Sequence, residues 1–208
     1  MRTDAILNWI KGPKVLDVGC TSHEVEVGSP YWLHGRLRRH FEVTGIDISE
    51  QNIEQLRRQG FERLHAQDAE EFALDDHFDT IVAGELIEHL SNPGRFLSRA
   101  RQHLKLDGRL VLTTPYAFSL MYALYAFFHF PKTCENQQHT CWFCLRTLRV
   151  LVERAGLQVI HQELIEDYRP DTPSRLYRAF VLFIRTAGLL LPPRMRKNVL
   201  LVVLAPAR

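Results

Sequence analysis

The length, composition and charge of the chain exclude several classes of protein. Its 208 residues, 46% of them hydrophobic, suffice for one domain with a substantial core, and a net charge of +2 gives no global field favouring nucleic acid. Three of the four cysteines lie within residues 134–144, which is not a secreted disulfide framework, and the N-terminus has no signal-peptide pattern. We therefore expect one domain, residues 1–208, in the reducing cytoplasm.

Apolar runs alternate along the chain with helix-length stretches. The predicted strands, in chain order, are VLDV (15–18), VTGIDIS (43–49), RLHAQD (63–68), FDTIVAG (78–84), GRLVLTTP (108–115), LQVIHQELIE (157–166) and NVLLVVLAPA (198–207). Helix starts are predicted at Ser29-Pro30, Ser49 and Asn92-Pro93, and a further helix covers 145–155. This alternation predicts an α/β fold, a doubly wound, mainly parallel sheet with helices on both faces.

Acidic and small residues follow four successive predicted strands. Asp17 and Gly19 end the first strand and Asp47 ends the second; Asp68-Ala69 and Gly84-Glu85 follow the third and fourth. In such sheets the ligand crevice lies beyond the carboxyl ends of the strands, where an acid can accept hydrogen bonds from ribose hydroxyls. The pattern predicts a nucleoside-binding site there.

The loop after the first strand decides between cofactors. A dinucleotide needs a tight glycine-rich turn that seats its pyrophosphate on a helix N-terminus. Here Thr21, Ser22 and His23 follow Gly19-Cys20, and about ten residues separate Gly19 from the predicted helix. S-adenosylmethionine (SAM) carries no phosphate, so the loop favours SAM over NAD.

Six stretches together resemble a class I SAM-dependent methyltransferase, and more narrowly the small-molecule enzymes related to ubiquinone-biosynthesis O-methyltransferases. These are VLDVGC, VTGIDIS, AQDAEEF, FDTIVAGELIEHL, LKLDGRLVLTTP and HTCWFCLRTLRVLVERAGL. The resemblance covers about residues 13–165 and implies a Rossmann-like, seven-stranded sheet whose last strand is antiparallel. It also implies SAM as cofactor and a small-molecule acceptor.

The resemblance assigns cofactor contacts residue by residue. Asp17, Gly19 and Cys20, with Thr21 beside them, match the loop under the methionine part of SAM. Asp47 matches the ribose-binding acid and Ile48 the residue beside adenine, Asp68 and Ala69 match the adenine contacts, and Gly84 and Glu85 border the reaction centre. The chain departs from the family pattern at Thr21–Gly28, which leaves open a non-catalytic binding or scaffold protein.

Two histidines are candidate catalytic bases, since a base near neutral pKa suits an acceptor hydroxyl. His89 stands four residues after Glu85, so both would face the crevice on one helix, and His139 lies in HTCWF. A helix-orienting role for His89 is the alternative. Cys134, His139, Cys141 and Cys144 also permit a zinc site, although buried packing of the cysteines competes with it and no metal ligand is assigned.

Two apolar segments interrupt or follow the alternation. Residues 116–144 include SLMYALYAFFHF, too short to span a bilayer, and we expect them to cover the acceptor pocket. Residues 169–197 carry seven Lys or Arg and one acid beside FVLFI and GLLLPP, and form a basic, apolar helical appendage. Together they predict an apolar or lipid-linked acceptor and peripheral membrane contact. A solvated helix with snorkelling arginines is the alternative. The resemblance implies O-methylation, although the residues themselves leave methylation of O, N or C open. No nucleic-acid substrate is expected, because no Asn/Asp-Pro-Pro-aromatic block follows the fourth strand and no Pro-Cys block is present.

Overall fold

The computed structural model describes residues 1–21, 27–128, 138–168 and 175–207. The strands in these ranges are β1 Lys14–Val18, β2 Glu42–Asp47, β3 Leu64–Ala66, β4 Phe78–Gly84, β5 Leu104–Pro115, β6 Leu157–Ile165 and β7 Val199–Pro206. The helices are α1 Arg2–Leu7, α2 Leu33–Leu37, α3 Glu50–Arg58, α4 Pro93–His103, α5 Leu120–Phe128, α6 Leu145–Arg154, α7 Arg175–Ala187 and α8 Pro193–Arg196. Short 3₁₀ turns cover Ile87–His89 and Gly188–Leu190.

The strands form one seven-stranded sheet in the order β3-β2-β1-β4-β5-β7-β6. Strands β1 to β5 pair in parallel, and β7 runs antiparallel to both of its neighbours, β5 and β6. The predicted fold class and the antiparallel last strand are confirmed. Strand order reverses between β1 and β4, which places a crevice at the carboxyl ends of these two strands.

Alternate residues of the central strands fill cores on opposite faces of the sheet. Leu16 of β1 packs with Phe96 of α4 and Leu148 of α6, whereas its neighbour Val15 packs with Ile6 of α1 and Leu37 of α2. This is the period-two geometry of a strand buried on both faces. Strand β7 is buried over most of its length, which explains why its sequence reads as a continuous apolar run.

Two predicted helix starts are confirmed by their hydrogen bonds. The Ser49 hydroxyl accepts from the Asn52 amide at 3.3 Å at the start of α3. The Asn92 side chain accepts from the Arg95 amide at 3.1 Å, and Pro93 occupies the first turn of α4. Each cap satisfies one backbone donor that the helix leaves unpaired.

Two boundaries differ from the sequence-based expectation. Ser29 and Pro30 lie before α2, which begins at Leu33, because Trp32 is held in an extended conformation with its indole on the Cys20 carbonyl. Strand β5 begins at Leu104, directly after α4, and not at Gly108. Leu104 already pairs with Phe78, and an irregularity in the pairing separates this contact from the rest of the strand.

Helix α5, which belongs to residues 116–144, packs against Tyr168 and helix α7 beside the sheet. Met121 of α5, Tyr168 and Ile184 of α7 form a separate buried cluster. Residues 129–137 and 169–174, which belong to the predicted cover and appendage, lie outside the described residues. In the ranges that the structure describes, none of the helices has the length and apolar character needed to cross a membrane.

Candidate functional site

A cavity of about 230 Å³ opens beyond the carboxyl ends of β1, β2 and β3 and beside the turn that follows β4. Its lining includes six residues predicted from sequence: Gly19, Asp47, Ile48, Asp68, Ala69 and His89. A larger cavity of about 550 Å³, lined by residues such as Lys14, Arg63 and Asp76, contains none of the predicted residues. The smaller cavity is therefore the candidate site.

Asp47 sits at the end of β2 with its carboxylate held by backbone amides. One carboxylate oxygen accepts from the Thr21 amide and the other from the Ser49 amide, each at 3.0 Å. The Asn52 side chain donates to the Thr21 hydroxyl at 3.3 Å, which links α3 to the same loop. A carboxylate has more lone pairs than these two bonds use, so Asp47 can still accept from the hydroxyls of a ribose.

The far wall of the cavity offers both the apolar surface and the polar groups that a purine needs. Ile48 is 75% exposed although it follows a buried strand, which leaves an apolar surface beside Asp47. Ala69 is buried, and the Asp68 carboxylate accepts from the Glu70 amide at 2.8 Å. Ring stacking on Ile48 and polar contacts near Asp68 are thus available to one flat ligand.

Gly19 makes the turn at the end of β1. Its φ of +78° lies in the left-handed region, where glycine is favoured. Its amide donates to the Ile46 carbonyl at 2.9 Å, and a Cβ at this position would lie 3.2 Å from Leu86 Cδ1. The turn therefore needs glycine for its backbone conformation and for the close approach of Leu86.

Two residues assigned to the cofactor loop point into the protein. Asp17 is buried, and its carboxylate lies 3.0 Å from Nδ1 of the fully buried His34. Cys20 is also buried, and burial together with the charges of Asp17 and Asp47 raises the pKa of its thiol. The Cys20 amide donates to the Ile46 carbonyl at 3.1 Å and its carbonyl accepts from the Trp32 indole, so Cys20 and Asp17 support the turn and do not line the cavity.

Trp32 and His34 bond to Cys20 and Asp17, at the start of the loop that follows β1. The Trp32 indole donates to the Cys20 carbonyl at 2.9 Å, while His34 pairs with Asp17. Gly45 makes room for this arrangement, since a Cβ there would lie 2.8 Å from both Cys20 Sγ and His34 Cε1. We call these two contacts the loop clamp. They fix the two ends of a long loop that lacks the compact glycine turn.

Gly84 and Glu85 lie at the end of β4, just before Leu86, and do not themselves line the cavity. Glu85 has a φ of +55°, uncommon for a residue with a side chain, and its amide donates to the Thr113 carbonyl at 3.0 Å. Its carboxylate lies 3.5 Å from the Arg2 guanidinium of α1. Burial raises the pKa of Glu85, and the charge of Arg2 opposes that rise. The predicted helical pairing of Glu85 with His89 is wrong, because only a 3₁₀ turn from Ile87 to His89 forms.

Glu88 is a functional candidate that the sequence reasoning missed. Its side chain is 1% exposed; one carboxylate oxygen accepts from the Thr114 hydroxyl at 3.0 Å, and the other has no partner among the described residues. Burial and the nearby charge of Glu85 raise the pKa of Glu88 to about 8. An acid inside the apolar block LIEHL was the available signal. No sequence pattern marked Arg2, Trp32 or His34 in this way, because the residues that they contact are distant in the sequence.

The two predicted catalytic histidines lie together. The rings of His89 and His139 are 4.7 Å apart in an edge-to-face arrangement. Partial burial and the neighbouring His89 lower the pKa of His139, so its ring is neutral at neutral pH. Ligand atoms of Glu88, His89 and His139 all lie within 4.8 Å of one another, so these three side chains could hold a divalent cation.

The proposed cysteine–histidine zinc group does not assemble from its described members. Cys141 lies against the carbonyls of Ile87 and Glu88, and Cys144 is the N-cap of α6 beside Thr147. Cys134 lies outside the described residues. In the described parts of the chain, His139 groups with Glu88 and His89 instead.

The described part of residues 116–144 contacts the candidate histidines through aromatic rings. The Trp142 ring lies 5.4 Å from His139 and 4.7 Å from Tyr122 of α5. Burial and the charges of Glu85 and Glu88 raise the pKa of Tyr122, which places α5 close to both acids. The Thr140 amide donates to the Glu88 carbonyl at 2.8 Å. Apolar rings thus line one side of the two histidines.

Comparison with known families and curated sequences agrees with this geometry. Residues 5–162 match a family model described as a methyltransferase domain. A ubiquinone biosynthesis O-methyltransferase of Alkalilimnicola ehrlichii is 28% identical over 151 residues, covering 64% of this chain and 56% of that protein. The Rickettsia prowazekii protein of the same name is 29% identical over 140 residues, covering 62% and 53%. The chain spans about half the length of the curated relatives it matches.

Solved structures match nearly the whole chain. A SAM-dependent methyltransferase from Archaeoglobus fulgidus superposes with a TM-score of 0.67 at 20% identity, covering 98% of this chain and 90% of that one. Magnesium protoporphyrin IX methyltransferase from Synechocystis, solved with bound S-adenosylhomocysteine (SAH), gives 0.64 at 16% identity, covering 99% and 82%. At these identities the likeness establishes the fold.

Proposed function

This chain belongs to the methyltransferase-domain family, and from that membership we propose that it binds SAM and transfers the methyl group to a small molecule. The observation that carries the proposal is the cavity in which Gly19, Asp47, Ile48, Asp68 and Ala69 meet His89. The nucleoside would occupy the Asp47 side, and the sulfonium would lie toward Gly84, Glu85 and the histidines.

The chemistry we propose is an in-line displacement. With SAM bound, an acceptor hydroxyl oxygen would attack the methyl carbon as the carbon–sulfur bond breaks, which would leave SAH. The hydroxyl proton passes to His139 or His89, and the lowered pKa of His139 keeps it ready to accept a proton at neutral pH. Alignment of the two reactants supplies much of the rate enhancement. Alternatively, a divalent cation held by Glu88, His89 and His139 would replace the histidine base and lower the acceptor's own pKa.

The acceptor we propose is an apolar or lipid-linked compound that carries a hydroxyl group, with the protein acting in the cytoplasm and touching a membrane peripherally. Trp142 and Tyr122 beside His139 provide an apolar wall, and residues 116–144 form the cover over the bound acceptor. The curated relatives are named ubiquinone biosynthesis O-methyltransferases, which supports a hydroxyl group as the methyl acceptor.

Titration with SAM by calorimetry tests the cofactor assignment. We expect Asp47→Ala to weaken SAM binding by about 1.5–3 kcal/mol, the scale of hydrogen bonds to a charged group. Asp75→Ala, which removes an exposed acid outside the candidate site, is the matched control and should bind SAM as the parent does. Unchanged affinity in Asp47→Ala would remove Asp47 from the site.

The same titration separates the two candidate functions. A non-catalytic scaffold with an altered cofactor loop would fail to bind SAM at all. If SAM binds, we expect SAH to form from hydroxylated aromatic acceptors with long alkyl chains faster than from short-chain analogues. His139→Ala should lower kcat with little change in SAM affinity, because His139 is assigned to the acceptor proton.

A further inference from the structure

We propose that the outward face of α7 and the 3₁₀ turn after it is a docking surface for an anionic lipid bilayer. We call it the α7 face and define it by Leu182, Phe183, Leu189 and Leu190 with the flanking Arg178 and Arg194. The proposal deepens the proposed function, because it names the surface through which a lipid-linked acceptor would be reached.

The α7 face exposes an unusual amount of apolar side chain. Leu182 is 62% exposed and Phe183 54%, while Leu189 is 72% and Leu190 91% exposed. The opposite side of α7 packs against the rest of the protein, since Ile184 is fully buried and Phe180 and Val181 pack beside it. The helix is therefore amphipathic, but part of its outer face is apolar where water would favour polar residues.

The charge around the α7 face is of one sign. Residues 175–197 contain six Lys or Arg and no Asp or Glu. Arg185 is used within the fold, in an ion pair with Glu166 at 2.6 Å. Arg175, Arg178 and Arg194 are exposed. Exposed leucines and phenylalanine flanked by arginines are the composition of a helix that lies in the interface of an anionic membrane.

Helix α7 is linked to the candidate site through packed side chains. Ile184 of α7 shares a buried cluster with Met121 of α5. Tyr122, the next residue of α5, contacts Trp142, which in turn contacts His139. A bilayer against the outer side of α7 would thus lie on the opposite side of α7 from α5, whose Tyr122 is linked through Trp142 to His139.

Charge decides between a membrane and a second copy of the chain. In a symmetric dimer built on this face, arginines of one copy would meet arginines of the other, and like charges oppose such a contact. Anionic lipid head groups complement the same arginines. Because no helix in the described ranges is long and apolar enough to span, the contact would lie in the interface plane.

Co-sedimentation of the full chain with vesicles tests the proposal. We expect binding to vesicles in which about a third of the phosphatidylcholine is replaced by phosphatidylglycerol, no binding to pure phosphatidylcholine, and loss of binding at high salt. Leu189→Ser with Leu190→Ser, and separately Arg178→Glu with Arg194→Glu, should each lower the partition coefficient at least tenfold. Leu106→Ser and Arg58→Glu, also exposed, are matched controls and should change it less than about twofold.

Three results would overturn the docking surface. They are no sedimentation at low salt, an equal loss of binding in Leu106→Ser, and a dimer that becomes a monomer in the paired leucine variant. SAM titration of each variant without vesicles keeps the two proposals apart. In the unsubstituted chain, retained SAM affinity with failed vesicle binding removes the α7 face alone, whereas failed SAM binding with normal vesicle binding removes the proposed function. In the α7-face variants, retained SAM affinity shows that a loss of vesicle binding is not a loss of folding.

Discussion

At the scale of single residues, Glu88 shows how tertiary packing changes the chemistry of one side chain. Its carboxyl group is enclosed beneath the site with one hydrogen bond from Thr114. Burial disfavours the charged form, and the nearby Glu85 charge adds to the effect. Glu88 is therefore protonated at neutral pH unless a cation binds beside it.

Protonation of Glu88 predicts a pH-dependent stability. The unfolded carboxyl ionises near its ordinary pKa of 4.5, whereas in the folded chain its pKa is about 8. Between these values the unfolded state loses a proton that the folded state keeps, so the free energy of unfolding falls as pH rises. We expect Glu88→Gln to reduce this fall, to which the raised pKa of Glu85 also contributes, and to be more stable than the parent by about 1–3 kcal/mol at pH near 8. Urea denaturation with a chelator present measures the difference.

The control for this experiment is Glu153→Gln, an exposed acid on α6. It should leave the pH dependence of the parent unchanged. Parallel pH profiles for the parent and Glu88→Gln would show that Glu88 is ionised in the folded protein. Addition of a divalent cation that binds at Glu88, His89 and His139 should lower the Glu88 pKa and reduce the fall.

At the scale of elements, the loop clamp replaces what a compact glycine turn does elsewhere. Trp32 and His34 reach from the start of α2 to Cys20 and Asp17 at the end of β1. The long loop between them therefore has fixed ends, and the Thr21 amide is presented to Asp47. Preorganisation of this kind lowers the cost of ordering the loop around a ligand.

The clamp predicts that Trp32→Phe weakens cofactor binding from a distance. The substitution removes the indole bond to the Cys20 carbonyl, and we expect stability and SAM affinity each to fall by about 0.5–1.5 kcal/mol. Trp9→Phe, on a ring that stacks on His161 away from the site, is the control for the aromatic change. Equal SAM affinity in the parent and Trp32→Phe would mean that the loop ends need no clamp.

The cover segment gives a second prediction at this scale. We expect the amides of α5 to exchange with solvent faster than those of β5 in the free protein, and to slow when SAH and an acceptor are both bound. The Thr140 amide, bonded to the Glu88 carbonyl, should be protected throughout. Hydrogen exchange followed by mass spectrometry measures this. Protection of α5 equal to that of β5 in the free protein would make α5 part of the core.

At the scale of the whole molecule, ligand binding at the sheet edge is coupled to folding. Parallel strands β1 to β4 carry the site residues on their carboxyl ends, so the site exists only when the sheet is assembled. A ligand that binds only the folded chain must stabilise it. SAH at about 100 times its Kd should add about 2.7 kcal/mol to the free energy of unfolding.

For a domain of this size that gain corresponds to a rise in Tm of about 5–10 °C, measurable by differential scanning calorimetry. At the same SAH concentration Asp47→Ala should show a smaller rise than the parent. No rise at any SAH concentration would favour the non-catalytic scaffold.

Several features could be predicted from the sequence alone because they depend on local pattern. Alternation of apolar runs with capped helices predicts the sheet, and the resemblance to class I methyltransferases implies its antiparallel last strand. Acids that follow successive strands predict the cavity, since parallel strands end at one edge. Asp47, Ile48, Asp68 and Ala69 all line it, and His89 meets His139. Membership of the methyltransferase-domain family confirms the resemblance.

Other features were decided only by the tertiary structure. Whether Asp17 faces a ligand or a buried His34 depends on where α2 packs, and that packing joins residues 17 apart. Glu88 acquires its shifted pKa from burial and from the closeness of the Glu85 charge, and neither the burial nor this closeness can be read from the letters GELIEHL. The side of α7 that faces inward was decided by packing, since Ile184 is buried against Met121 and Tyr168 and the α7 face lies on the other side of the helix. In each case the environment of a side chain comes from partners that only folding brings near.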